Sequence, residues 1–282
     1  MESMTLLAED VGFVEGPVAR PDGSLAVTSI THASVYILSP TGDRRRVETG
    51  GGPNGMVAGP DGALLVAQNG GLFGGAAGTA PGIQRIRDGE VDHLVVLEDG
   101  AAPNDLCFGP DGWLYFTDTH GDWAGVGPAP IGRLYACRAD GSELMMLFEG
   151  FRFMNGLAFD VTGESLFVVE TARPRIWRFP WTPGPTVGDP EEFCRVADGN
   201  PDGIALDTSG SLWVAATMDG SVQVFDRNGV RTARHSIGEG SMPSNCCFGL
   251  ANPSVLYVTA AGIEQVLALQ TDVLGAPLYE AA

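Results

Sequence analysis

One short pattern recurs six times and constrains the fold more than any other feature. A Leu follows a turn and opens an apolar run, in SLAVTS, ALLVAQ, WLYFTD, SLFVVE, SLWVAA and VLYVTA. These residues are Leu25, Leu64, Leu114, Leu166, Leu212 and Leu256, at intervals of 39, 50, 52, 46 and 44. The spacing matches the ~40–50 residues of a four-stranded propeller blade and is too long for most solenoid repeats. In the fullest copy, PNDLCFGPDGWLYFTDT from Pro103 to Thr119, Leu106 and Phe108 precede the turn Pro110-Asp111-Gly112, and Leu114 and Phe116 follow it. Period-two alternation on both sides of a tight turn predicts a β-hairpin. The 40 Gly and 19 Pro fall mostly in such turns, and no window carries a 3.6-residue period. The expectation is an all-β chain, a six-bladed β-propeller, with residues 1–282 forming a single domain because the repeats leave no linker.

A propeller must close its ring. MTLLA at residues 4 to 8 has no partner in blade 1, whereas blade 6 runs out of strands near residue 269 and turns irregular at Gly275 and Pro277. The N-terminal strand is therefore expected to close the last blade, removing two open sheet edges. Loops after second strands open on one face. Four are short, but blade 2 inserts Asn69 to Gly82 and blade 3 inserts Thr119 to Gly132, carrying Phe73 and Trp123. Long loops with single aromatics on a rigid scaffold read as pocket walls or a lid. The Gly-rich insert is not a phosphate loop, since no Lys-Ser/Thr pair or helix follows it.

Ten or eleven residues before each repeat Leu stands a polar side chain: Glu15, Asn54, Asn104, Asn155, Asp202 and Asn245. First strands line the channel of a propeller, so one register of six first strands forms a ring around the axis. Asn-Gly and Asp-Gly also signal hairpins. Each blade already has its own turn, however, and Glu15 and Asn104 serve no such turn. Carboxylates and amides crowded in a channel are costly unless paired. A divalent cation relieves that cost, and an all-oxygen donor set selects a hard ion, Ca²⁺ first, with Mg²⁺ or Mn²⁺ ahead of Zn²⁺. The alternative is a water-filled polar channel.

The formal charge of −19 repels nucleic acid and anionic membrane, leaving a small molecule as the expected partner. No apolar run of ~18 residues and no basic-then-apolar leader occurs, so the default compartment is the cytoplasm. Oligomeric state is not legible. Cys107, Cys137, Cys194, Cys246 and Cys247 are odd in number and lack CxxC spacing, which disfavours a disulfide framework or a zinc site.

EGPV at Glu15, PND at Asn104, MNGLAFD at Asn155, PDGIALD at Asp202 and the closing FGLANPSVLYVTAA resemble the senescence marker protein/gluconolactonase family, also called regucalcin-like, over essentially the whole chain. The resemblance implies a six-bladed propeller with one divalent cation near the axis and lactone hydrolase activity. It places metal ligands at Glu15, Asn155 and Asp202, with Asn104 touching metal or substrate. Sugar-acid lactonases of the family often carry an Arg two residues before that Asn, where this chain has Ala102. Phe73 and Trp123 then point to a less polar lactone or ester.

The chemistry expected is attack of water on a metal-polarised carbonyl, with Asp202 as general base and His120 as its rival. Asn54, Phe73, His120, Trp123 and Arg173 are the candidate substrate-binding residues. Of the four His, only His32 and His120 follow second strands. No GxSxG elbow supports serine chemistry. Two other readings share the scaffold: an organophosphate or ester hydrolase, and a non-enzymatic binding propeller.

Overall fold

The computed structural model describes residues 4–98, 100–120 and 131–281, so the expectation for Trp123 lies outside the described residues. Six antiparallel sheets form the blades of a β-propeller. Their first strands are Val14–Ala19, Pro53–Ala58, Pro103–Phe108, Met154–Phe159, Pro201–Leu206 and Pro243–Phe248. Each first strand packs against the next, and the last packs against the first, which closes the ring around an axis. The second strands begin at or one residue before the repeat Leu, as at Leu25–Ser29, Leu114–Asp118 and Val255–Ala260.

Closure follows the expected route. In the last sheet Met4–Ala8 lies outside Gln265–Gln270, pairing Met4 with Leu269 and Leu6 with Leu267. Six apolar clusters hold neighbouring blades together. One of them joins Trp113, Tyr115 and Leu134 of blade 3 to Met154, Phe159 and Phe179 of blade 4. Outer strands such as RRRVE at Arg44–Glu48 and RTARHS at Arg231–Ser236 are charged, which blunts their open edges.

The segment after residue 270, irregular in sequence, crosses the far ends of the first strands. Thr208 N donates to Leu274 O at 2.8 Å and Ala276 N to Leu206 O at 2.9 Å, both in blade 5. Tyr279 then donates its hydroxyl to Asp160 O at 3.1 Å in blade 4 and sets its ring edge-on to Phe159. This strap lies at the end opposite the polar heads.

Candidate functional site

Every first strand breaks register with its second strand next to its polar head, at a bulge such as Pro103/Leu106, Met154/Leu157 or Pro201/Ile204. A bulge re-aims one side chain while the rest of the strand stays paired. The aligned heads are Glu15, Asn54, Asn104, Asn155, Asp202 and, in blade 6, Ser244, because Pro243 pairs with Ala260 as Pro103 pairs with Asp118. Asn245 is thus one residue beyond the register expected for it. The turn between Phe248 and Leu256 is two residues longer than that between Phe108 and Leu114, so counting back from the Leu slips.

That next position is Gly16, Gly55, Gly156 and Gly203 in four blades and Asp105 and Asn245 in the two that face each other across the ring. A Cβ on Gly55 would collide with the Asp105 carboxylate, and one on Gly203 with the Asn245 amide. Gly55 and Gly203 therefore make room for two side chains that meet over the axis, where Asn245 Nδ2 donates to Asp105 Oδ2 at 3.4 Å, while Gly16 and Gly156 lie against the backbone of the next first strand. Asp105 is a carboxylate in the channel that sequence reasoning missed. The PND motif displayed it, but only the register of the other blades shows it to stand in a glycine position.

Hydroxyls lock the heads between blades. Thr28 donates to Asn54 O at 2.5 Å, Thr117 to Asn155 O at 2.8 Å, Thr171 to Pro201 O at 2.7 Å and Ser244 to Val14 O at 2.7 Å. The ends of three second strands brace the approach to the heads of blades 2, 3 and 4. Gln68 Oε1 accepts from Gly52 N, Asp118 Oδ1 from Ala102 N, and Glu170 Oε1 from Arg152 N. Asn155 donates through Nδ2 to Thr171 Oγ1 at 3.0 Å, leaving its carbonyl oxygen available.

The electrostatics are set by burial. Glu15 is 4% exposed, and its carboxyl is pushed up to about 8, first by desolvation and then by the charge of Asp105; hydrogen bonds from Gly16, Asn245 and Ser244 offset only part of this. Burial likewise raises Asp105 to about 7, against the hydrogen bonds from Leu106 and Asn245. Asp202 is held well above its ordinary value by burial and then by Glu15. It is also the least enclosed of the six heads, being half-buried where the others are buried.

The donor set fits a hard cation. Three carboxyls repel one another, surrounded by amides and a hydroxyl, with no cationic side chain among the described residues acting to neutralise them. Among the described residues no three His, Cys, Asp or Glu stand close enough to hold an ion by themselves. An ion at the axis would therefore draw on Asn oxygens as well.

The remaining expected residues are more dispersed. His120 lies at the mouth of blade 3 in a left-handed conformation (φ 44°), with Nδ1 3.5 Å from Asp118 Oδ2. Neither atom has a hydrogen-bond partner among the described residues. Arg173 is exposed and makes no ion pair among the described residues. Phe73 is half-buried, and its ring packs on Phe153 with centroids 5.6 Å apart. Phe153, the residue before Met154 at the start of blade 4, carried no sequence signal because its partner lies eighty residues away.

Residues 13–262 match the family model described as SMP-30/Gluconolactonase/LRE-like region. A gluconolactonase of Zymomonas mobilis is 28% identical over 96% of this chain and 82% of its own length. The adipocyte plasma membrane-associated protein of Danio rerio is 31% identical over 67% of this chain but only 48% of its own length. The solved structure of a gluconolactonase from Xanthomonas campestris superposes with a TM-score of 0.77 at 26% identity, covering 95% of this chain and 89% of that one.

Proposed function

Because the chain belongs to the SMP-30/gluconolactonase/LRE-like family, we propose that it is a lactonase, opening a cyclic ester by divalent-metal-dependent hydrolysis at the propeller axis. The observation that carries this reading is the mutual repulsion and desolvation of Glu15, Asp105 and Asp202 among oxygen-donor amides. Glu15, Asn104, Asn155 and Asp202 would hold the ion, with Ca²⁺ the first choice. When bound, the ion supplies Lewis-acid polarisation of the lactone carbonyl and stabilises the negative charge that develops on its oxygen.

The chain's own residues supply the rest. Asp202, the least enclosed of the heads, takes a proton from the attacking water as a carboxylate. That proton then reaches the leaving ring oxygen as the C–O bond breaks, giving a hydroxy acid. Thr117 and Thr171 fix the backbone of Asn155 and Pro201, so the amide and carboxylate heads need little reorganisation during reaction. Asn54, whose amide makes no hydrogen bond to described residues, is free to accept from or donate to the substrate.

Turnover of gluconolactone, a γ-alkyl lactone, an aryl lactone and a phosphotriester, measured after chelation and re-addition of each divalent ion, tests the proposal. Lactone opening that is lost with chelator and restored by an ion is expected. Faster turnover of the phosphotriester would favour the organophosphate reading. Lactone opening indifferent to chelator would contradict the metal's role.

A further inference from the structure

The contact between Phe73 and Phe153 spans the mouth. Phe73 sits on the long loop after the second strand of blade 2, and Phe153 leads into the first strand of blade 4. Both lie on the face that carries the polar heads. In a ring of six blades, a contact between the second and the fourth skips the third. The two rings pack at 5.6 Å with an interplanar angle of 51°, a favourable tilted pair.

The two sides of this bridge are built differently. Phe153 is fixed from below: its carbonyl accepts from Thr171 N at 3.0 Å, and its neighbour Arg152 donates its N–H to Glu170 Oε1 at 2.8 Å. The backbone at Phe153 is left-handed (φ 59°), unusual for a bulky residue and a form of strain that persists where the surroundings impose it. Phe73 is carried by a Gly-rich loop tied at its base, where Ala76 N donates to Gly51 O at 2.8 Å. In blades 5 and 6 the second strands lead to the third through single turns, Thr217–Asp219 and Ala261–Ile263. The Asp202 and Glu15 side of the mouth thus lies under short connections, while aromatic carbon joins blade 2 to blade 4.

We propose that the Phe73–Phe153 pair is the specificity-determining roof of the site, selecting lactones that carry an alkyl or aryl substituent on the ring. The inference rests on the lactonase reading. With the carbonyl at the axis, the substituent lies against the two rings, which reward apolar surface and give a hydroxyl no partner. The adjoining position two residues before Asn104 adds nothing polar: Ala102 is fully buried, with its N–H committed to Asp118 and its carbonyl to Thr119.

The test compares kcat/KM for a γ-alkyl lactone and for gluconolactone in the parent chain, Phe73→Ala, Phe153→Ala, Phe153→Leu and the double Ala variant. Each Ala substitution should lower the alkyl-over-hydroxylated ratio by roughly tenfold, the scale of losing apolar contact in a pocket. The double variant should lose little beyond either single one, because the rings act as one roof. Phe153→Leu keeps apolar surface and should keep most of the preference, which separates the roof from a folding defect. A parent that prefers gluconolactone, or single variants whose ratio is unchanged while they still turn over, would overturn the roof and leave the lactonase reading standing. A parent that opens no lactone at all would overturn both.

Discussion

At the mouth, the six first strands present Glu15, Asn54, Asn104, Asn155, Asp202 and Ser244 to one another. At the far end the same strands finish in Ala19, Ala58, Phe108, Phe159, Leu206 and Phe248 and are crossed by residues 271–281. The far end satisfies its polar groups: the strap pairs with Leu206 and Thr208, and Tyr279 caps Asp160. The mouth gathers three carboxyls whose mutual repulsion is only partly offset. The contrast teaches where each end spends its residues. One end of the strand bundle pairs its polar groups with the strap, and the other crowds carboxyls together with no cationic side chain beside them among the described residues.

If the two ends have separate jobs, substitutions should separate activity from stability. The largest effect is expected at the mouth. Asp202→Asn removes both a proposed ligand and the proposed base, and should lower kcat for lactone opening by ~10²–10⁴-fold. Its melting temperature should hold or rise, because a neutral amide relieves repulsion in a buried cluster. A variant that retains activity would leave His120, beside Asp118, as the base. The smaller effect belongs to the strap. Tyr279→Ala loses an aromatic contact and a hydrogen bond, costing ~2 kcal/mol. At ~2 °C per kcal/mol for a chain of this size, the melting temperature should fall by ~4 °C with kcat unchanged. A drop in kcat as large as that of the mouth variant would erase the distinction between the two ends.

Much of the fold was legible because a repeat counts itself. Six Leu residues located six second strands, and an unpaired MTLLA next to a blade short of a strand located the closure. The head register was legible wherever the turn kept its length, and slipped by one at Asn245 where Gly249 to Val255 lengthens it. What stayed hidden depends on distance in the chain rather than on pattern. Asp105 gains meaning only because Gly55 and Gly203, in other blades, leave space for it and for Asn245. Phe153 gains meaning only beside Phe73, and Tyr279 only against Phe159 and Asp160. Local propensity carries none of these juxtapositions, since the ring has to close before any of them exists.

The central claim is that the axis is a preformed site for one divalent cation, and calorimetric titration of Ca²⁺ into the chelated protein at pH 6 and pH 8 tests it most directly. Without an ion, burial raises Glu15 to about 8 and Asp105 to about 7, so at pH 6 both are mostly protonated and an ion has to displace those protons. As pH rises through these values the carboxylates ionise, and binding should tighten from pH 6 to pH 8 while the protons released per ion decrease. The predicted result is one ion per chain, tighter at pH 8, with affinity sharply reduced in Glu15→Gln. No saturable binding at either pH, or equal affinity in the parent and Glu15→Gln, would contradict the account.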